Sequence, residues 1–548
     1  MLRKSMRMAA LIGLGLTLAG SAAWAAAAPQ AASGPLALVE DAFKAMGMSS
    51  QYVGEGTRPP DMLVTLTARG SVQAWDPGES EAVADLMKPD WGTSTFIHRW
   101  DHAQGEMRTE WVRPKAGGGM RTYTEIFSPD GGYVIGNDAN NALTSRAIQG
   151  PNNQPLHTMS GLRLRALLRE QERSFIVVGM HENPERVFDY PAQTVGGKRY
   201  PAVQYRGDHG TFIVLFDPAT HLPAIARTRD FDQLMGDADF DATFSDWRTV
   251  EQLKLPFHTV YTLNGVKVFE SKIDSYVLNT SLATDAFNAP GPLRNKGIKP
   301  APIGRVPYQW ILRRLATGFY LDSDALYTDD GGKMQLTDVA PNISLVTGST
   351  HNTLIVATDS YLVAFEAPGD DGQSKIAIDL AKAKYPGKPF RYLVLTHHHI
   401  DHSGGFRAYA AEGASLVVGK GDGAFFRKAL AAPQGSNPHD VKSVPPKVIE
   451  VDDSWNVKDG GREIDAFVLD NPHAQGYLMP YVADAKLGFV TDLWNPGPPV
   501  MNVNPNMAAI VKGVEKRGIK PERFAGGHGA VGNYADLEKA AAAQSGAR

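Results

Sequence analysis

The sequence predicts an α/β fold over its C-terminal part, 334–548, behind a mainly antiparallel β part over 35–289. Three observations carry this. Strand-like runs dominate the first part, among them Leu63-Val64-Thr65-Leu66-Thr67, Thr211-Phe212-Ile213-Val214-Leu215-Phe216 and Thr259-Val260-Tyr261-Thr262. Asn264-Gly265 before Val266-Lys267-Val268-Phe269 is a hairpin signal, because a type I′ turn needs positive φ at both central residues. From about Met334 strands give way to helices, and the apolar run Tyr392-Leu393-Val394-Leu395 leads straight into Thr396-His397-His398-His399-Ile400-Asp401-His402-Ser403-Gly404-Gly405.

Taken in order, the stretch from Met1 to Ala25 has the make-up of a secretory signal. Arg3, Lys4 and Arg7 form a basic start, residues 8–19 an apolar core, and Ala23-Trp24-Ala25 a cleavage site with the cut after Ala25. That core is shorter than the roughly 20 residues a membrane span needs, and no later segment replaces it. The expectation is a periplasmic or secreted protein without a membrane span. Leu36, Val39, Phe43 and Met46 are spaced as on a helix. Five prolines over 290–307 read as a linker, and a helix over 308–319 as its docking element, so that 290–333 joins the two parts. The strands Ile343-Ser344-Leu345-Val346, Thr353-Leu354-Ile355-Val356 and Tyr361-Leu362-Val363-Ala364-Phe365 follow, then a helix over 374–385.

Composition narrows the function. Apolar residues make up 43% and charged residues 21%, as in ordinary globular proteins, and a net charge of −4 argues against a nucleic-acid partner. Cysteine is absent, so disulfides, thiolate ligands, a thiol nucleophile and a lipidated N-terminal cysteine are all excluded.

The histidine run is the richest stretch in a chain of 548 residues with 15 histidines. His397 and His399 are two apart and project to one side of an extended backbone, with Asp401 and His402 following at the start of a helix. Imidazole and carboxylate together suit zinc.

His-x-His-x-Asp-His at His397, His399, Asp401 and His402 resembles the signature of the metallo-β-lactamase superfamily. Further positions match in order downstream: His473 in Asn471-Pro472-His473, Asp492 after Leu487-Gly488-Phe489-Val490-Thr491, and His528 in Gly526-Gly527-His528-Gly529. The resemblance covers 334–548 and implies an αββα sandwich. It puts His397, His399 and His473 on one Zn²⁺, Asp401, His402 and His528 on a second, and Asp492 between them. It implies a hydrolase using a metal-bridging hydroxide, with Asp401 relaying the proton. Two Zn²⁺ against two carboxylates and hydroxide leave a centre near +1, which favours an anionic or acyl-bearing small-molecule substrate. The bridging carboxylate places esters, thioesters and lactones ahead of β-lactams. Phosphodiesters, a mononuclear iron persulfide dioxygenase and a lipid carrier are the alternatives.

Where the family usually ends its first motif strand with a supporting aspartate, Phe365-Glu366-Ala367-Pro368 offers Glu366, expected to hold a ligand histidine from behind. His398 is expected to point away from the metals, His351 to lie at the surface, and His439 to be uninvolved. Phe425 and Phe426 read as helix core, and Trp494-Asn495-Pro496-Gly497-Pro498-Pro499 as a substrate-shaping loop. In the first part, Phe216-Asp217-Pro218-Ala219-Thr220-His221-Leu222-Pro223, Leu253-Lys254-Leu255-Pro256-Phe257 and the Asn264-Gly265 hairpin resemble half-barrels of the periplasmic lipoprotein-carrier type. That resemblance implies a curved sheet around an apolar cavity. No histidine before residue 300 has ligand-like spacing.

Overall fold

The computed structural model describes residues 34–48, 65–83, 85, 92–102, 104–115, 118–138, 155–283, 285–302, 307–318, 320, 322, 334–349, 351–497, 500 and 503–545. The signal segment lies outside the described residues, as do Leu63, Val64, Phe319, Pro498 and Pro499.

Among the described residues, 65–278 carry a thirteen-stranded sheet, antiparallel throughout. Its first and last long strands in sequence, Thr65–Ala74 and Val266–Leu278, pair at its middle, so two meanders run outward from one seam. The Asn264-Gly265 turn joins Leu253–Leu263 to Val266–Leu278 with φ of 48° and 82°, as a type I′ hairpin requires. The helix Gly161–Ser174, capped by Ser160, packs Leu164 and Leu168 against Leu66, Trp100 and Phe127 of the sheet.

The C-terminal part has four layers. A seven-stranded and a six-stranded sheet face each other, and their inner sides interleave Ile343, Val356, Phe365 and Val394 with Ile464, Val482 and Phe489. Alternate residues of the same strands, Ile355, Leu362, Ala364 and Leu393, face the other way into a core shared with helix residues Ile378, Phe406 and Phe426. Burial on both faces explains why these strands are continuous apolar runs. On the far side, helices Pro505–Arg517 and Tyr534–Ser545 cover the second sheet through Ile510, Val514 and Leu537. The helix expected over 374–385 spans Asp371–Lys384, because Asp370 accepts the Gln373 amide at 2.9 Å and starts the helix earlier.

The two parts share one core. Leu162, Phe240 and Leu263 pack in the same cluster as Ile355, Ile378 and Phe406, with Tyr308, Ile311 and Leu312 of the helix Tyr308–Thr317 among them. That helix stops at Gly318, which takes φ 84°. Its buried Arg313 binds Asp76 at 2.5 Å and Asp232 at 2.9 Å, locking it to the N-terminal part. No helix among the described residues is long and apolar enough to cross a membrane.

Candidate metal centre

The site forms where strands of both C-terminal sheets end on one edge. Glu366 follows Leu362–Phe365, His397 follows Phe390–Val394, Asp492 follows Leu487–Val490 and His528 follows Arg523–Gly526. Glu366 and Asp492 both hold left-handed backbone, with φ of 73° and 56°. For a glutamate this conformation is costly, and it persists where the surroundings enforce it.

The histidine run is held tightly. Glu366 takes the Thr396 amide on Oε1 at 2.8 Å and the His402 Nδ1–H on Oε2 at 2.6 Å, so it sits behind the loop as expected. Ser403 Oγ donates toward the His398 and His399 carbonyls. Gly404 is needed because a Cβ there would lie 2.0 Å from the Gly369 carbonyl oxygen. His473 is set by Asn471, whose side-chain oxygen accepts the amides of His473 and Ala474.

Asp492 is the hub. Its Oδ2 lies 3.3 Å from His397 Nε2, 3.1 Å from His473 Nε2 and 2.9 Å from His402 Nε2, and its Oδ1 lies 2.7 Å from His528 Nε2. One group of potential ligands comprises His397, His399, His473 and Asp492, and another comprises His351, His402 and His528. Asp401 Oδ1 stands 3.8 Å from His402 Nε2, while its Oδ2 points to His351 and Arg314. A third group joins Asp401 and His399 to Glu79.

These donors fit metal ions. His397 and His473 present Nε2 atoms 3.2 Å apart, and two imidazole nitrogens facing each other can share only one proton. A tetrahedral ion with bonds of about 2.0–2.1 Å separates its ligands by roughly 3.3 Å, which matches. The tautomers agree. His402 gives Nδ1–H to Glu366 and His399 gives Nε2–H to the Ser80 carbonyl at 2.8 Å, freeing the other nitrogen of each. Asp401 Oδ1 is buried without a hydrogen-bond partner, and His402 Nε2 is buried against the Asp492 carboxylate at 2.9 Å.

Electrostatics follow from crowding. Burial, reinforced by neighbouring imidazoles, drives His397 well below the usual histidine range and His399 to about 3, so both are neutral, as ligands must be. Burial opposes ionisation of Asp492 and Asp401, but His402 and the other cationic neighbours outweigh it and hold both carboxyls well below the usual range. Burial also opposes protonation of His402, yet Asp492, Asp401 and Glu366 together raise it well above the usual value, so its Nε2 sits where a cation is favoured.

Several residues differ from the sequence expectation. His351 is not a surface residue: its ring lies 4.2 Å from that of His528 and 4.7 Å from that of His402, and its Nε2 is 3.4 Å from Asp401 Oδ2. Asn352 puts it there, donating its side-chain amide to the carbonyls of Gly526 and Gly529 around His528. His398 does point away, and it is buried, giving Nε2–H to Ser80. Trp494 packs against Phe524 in the core, and Pro496 accepts the Ala530 amide, so the described part of that loop packs into the protein and braces the loop that carries His528. His439 lies beside Asp370, away from the ligand groups, and Phe426 is core. Among the early histidines, His157 does join Asp138 and Asp322, but Arg163 lies 2.5 and 2.8 Å from those carboxylates and occupies the place a cation would take.

The N-terminal part reaches the site, which sequence spacing did not indicate. The Gly78 carbonyl accepts the Ile400 amide, Ser80 holds His398 and His399, and the Glu81 carbonyl accepts the Gln475 amide. Arg314 bridges Glu79 at 3.0 Å and Asp401 at 3.3 Å. Tyr477 carries no sequence signal for its role either; its ring stacks on His397 while its hydroxyl bonds to the Thr491 backbone.

Residues 337–528 match the family model described as the metallo-beta-lactamase superfamily. Among solved structures, the sec-alkylsulfatase Pisa1 from Pseudomonas sp. is 20% identical, with TM-score 0.30, over 39% of this chain and 41% of that one. The chain therefore spans about two fifths of that enzyme's length. A metallo-beta-lactamase from Pontibacter korlensis is 17% identical with TM-score 0.30, covering 38% of this chain and 96% of that one. The Flv1 flavodiiron core from Synechocystis sp. PCC6803 is 15% identical with TM-score 0.29, covering 38% and 59%. A search of the curated proteins finds no match. The C-terminal part of the chain, 337–528, belongs to the metallo-beta-lactamase superfamily.

Proposed function

We propose that the chain is an exported, zinc-dependent hydrolase acting on an ester, thioester or lactone. The observation that carries this reading is Asp492, a single carboxylate in reach of four histidines, which divides the donors into two adjoining sets. His397, His399 and His473 would hold one ion, and His402, His528 and Asp401 the other, with Asp492 common to both. Such a pair would supply Lewis acidity and lower the pKa of a coordinated water.

The chain's own residues prepare the rest. Arg314 and His351 engage Asp401 through Oδ2, leaving Oδ1 buried and without a partner. Held ionised, that oxygen can accept a proton from the nucleophile and pass it to a leaving group. Tyr477 and Glu366 keep the imidazoles oriented from behind. Export rests on the basic, apolar and A-x-A pattern between Met1 and Ala25.

The test is a panel of esters, thioesters, lactones, β-lactams and phosphodiesters assayed before and after chelation, together with metal analysis. Two zincs per chain and chelator-sensitive acyl hydrolysis are expected. Activity that survives complete metal removal, or one iron per chain, overturns the reading.

A further inference from the structure

A cavity of about 320 Å³ lies inside the N-terminal part, between the thirteen-stranded sheet and the helices Gly161–Ser174 and Tyr308–Thr317. Packed interiors leave few voids larger than a water molecule, and a void of about 150 Å³ already takes benzene. This one has the size of a ligand pocket. Leu66, Phe127, Trp247, Phe269, Leu312 and Leu315 are among its walls, and Met46, Met48 and Met107 add flexible thioether chains that adapt to an apolar occupant.

The polar side chains on its border indicate what that occupant lacks. Trp111 donates to Glu125 at 2.7 Å, Glu125 binds Arg163 at 2.6 Å, and Arg113 donates to Tyr123 and to the Ala316 carbonyl. His98 pairs with Thr109 at 2.8 Å, and Glu170 lies 3.2 Å from Arg173. Apart from the Glu170 carboxylate, which is buried and engaged through its ion pair with Arg173, these charged and ring-nitrogen groups already have hydrogen-bond partners in the protein. An occupant that brought polar groups would compete with those pairs, whereas a hydrocarbon would not.

The same helix serves cavity and metal centre. Leu312, Leu315 and Ala316 fall on one face at helical spacing and line the cavity, while Arg314, on the opposite face, reaches Glu79 and Asp401. We propose that this cavity binds one long alkyl or acyl chain, with the helix Tyr308–Thr317 as the wall it shares with the metal centre. The chain can belong to a free fatty acid or to the substrate. The binding site stands apart from the hydrolytic reading, and only its assignment to the substrate rests on that reading.

The experiment uses the full, delipidated protein and the fluorescent probe N-phenyl-1-naphthylamine. Wild-type protein should bind the probe, with palmitate displacing it and butyrate failing to. Ala68→Trp on the sheet and Ala316→Trp on the helix Tyr308–Thr317 each fill part of the cavity and should each weaken palmitate at least tenfold, with metal content unchanged. Circular dichroism checks folding, and Ala68→Leu serves if the tryptophan variants unfold. No probe binding by the wild type, displacement by butyrate as readily as by palmitate, or equal palmitate affinity in folded variants overturns the proposal. Hydrolysis of p-nitrophenyl palmitate and butyrate separates the sources. Loss of a long-chain preference in Ala316→Trp assigns the chain to the substrate, and palmitate binding without effect on either ester assigns it to a separate ligand. Binding is read without turnover, so an inactive enzyme leaves it standing, and failed binding leaves butyrate hydrolysis intact.

Discussion

Arg314 Nη2 lies 3.3 Å from Asp401 Oδ2, so a guanidinium from the helix that joins the two parts fixes the orientation of an aspartate in the metal loop. The other arm of Arg314 holds Glu79, and its side chain is only 8% exposed. Removing one partner of a buried pair strands the other charge. Arg314→Gln should therefore lower kcat/KM by about a hundredfold, because Asp401 Oδ1 loses its aim. Arg314→Lys should recover part of that loss, and the melting temperature of Arg314→Gln should fall. Wild-type kinetics in Arg314→Gln would show that Asp401 is positioned without it.

His351 faces the rings of His402 and His528 and is held neutral, near pKa 3, by burial and its imidazole neighbours. His351→Ala should weaken the more labile of two bound ions by about 10–100-fold, the range seen for groups that support a metal from outside its ligands, or more if the ring is itself a ligand. Competition with a chromophoric chelator measures this directly. Two ions bound with wild-type affinity would remove His351 from the centre.

The donors gathered around Asp492 were legible because each stands in a local pattern: a strand end followed by His-x-His-x-Asp-His, an Asn-Pro-His turn, a Gly-His-Gly loop. His351, Glu79 and Arg314 have no such pattern. They enter through tertiary docking: His351 comes from the loop before Thr353–Ala357, and Glu79 and Arg314 come from outside the C-terminal part altogether. What places His351 is its neighbour Asn352, whose two acceptors, the carbonyls of Gly526 and Gly529, lie on a loop far away in sequence. The hairpin at Asn264-Gly265 was readable because positive φ constrains residue type. The pairing of Thr65–Ala74 with Val266–Leu278 was not, since it joins strands from opposite ends of the N-terminal part through ordinary alternating sequence.

Glu366 carries both the Thr396 amide and His402 Nδ1. Glu366→Gln keeps the shape but can no longer offer a charged acceptor, so metal affinity at His402 should drop by about 10–100-fold. Glu366→Asp shortens the reach by one methylene and should lose at least one of the two bonds. Zinc titration followed by calorimetry distinguishes them, and unchanged affinity in both variants would mean that His402 is oriented by Thr491 alone, 3.2 Å away.

Glu172 gives a pH dependence remote from the metals. Burial raises its pKa to about 7, although it accepts the backbone amides of Asp208 and His209. Unfolded, it titrates near 4.3, so between that value and about 7 the folded state holds the extra proton. Stability from this group is therefore full at low pH and declines as pH rises through the window, by up to roughly 4 kcal/mol. Glu172→Gln is fixed in the neutral form and should flatten the fall in melting temperature between pH 5 and 8. A melting temperature whose pH dependence is the same in Glu172→Gln and wild type would place the proton elsewhere.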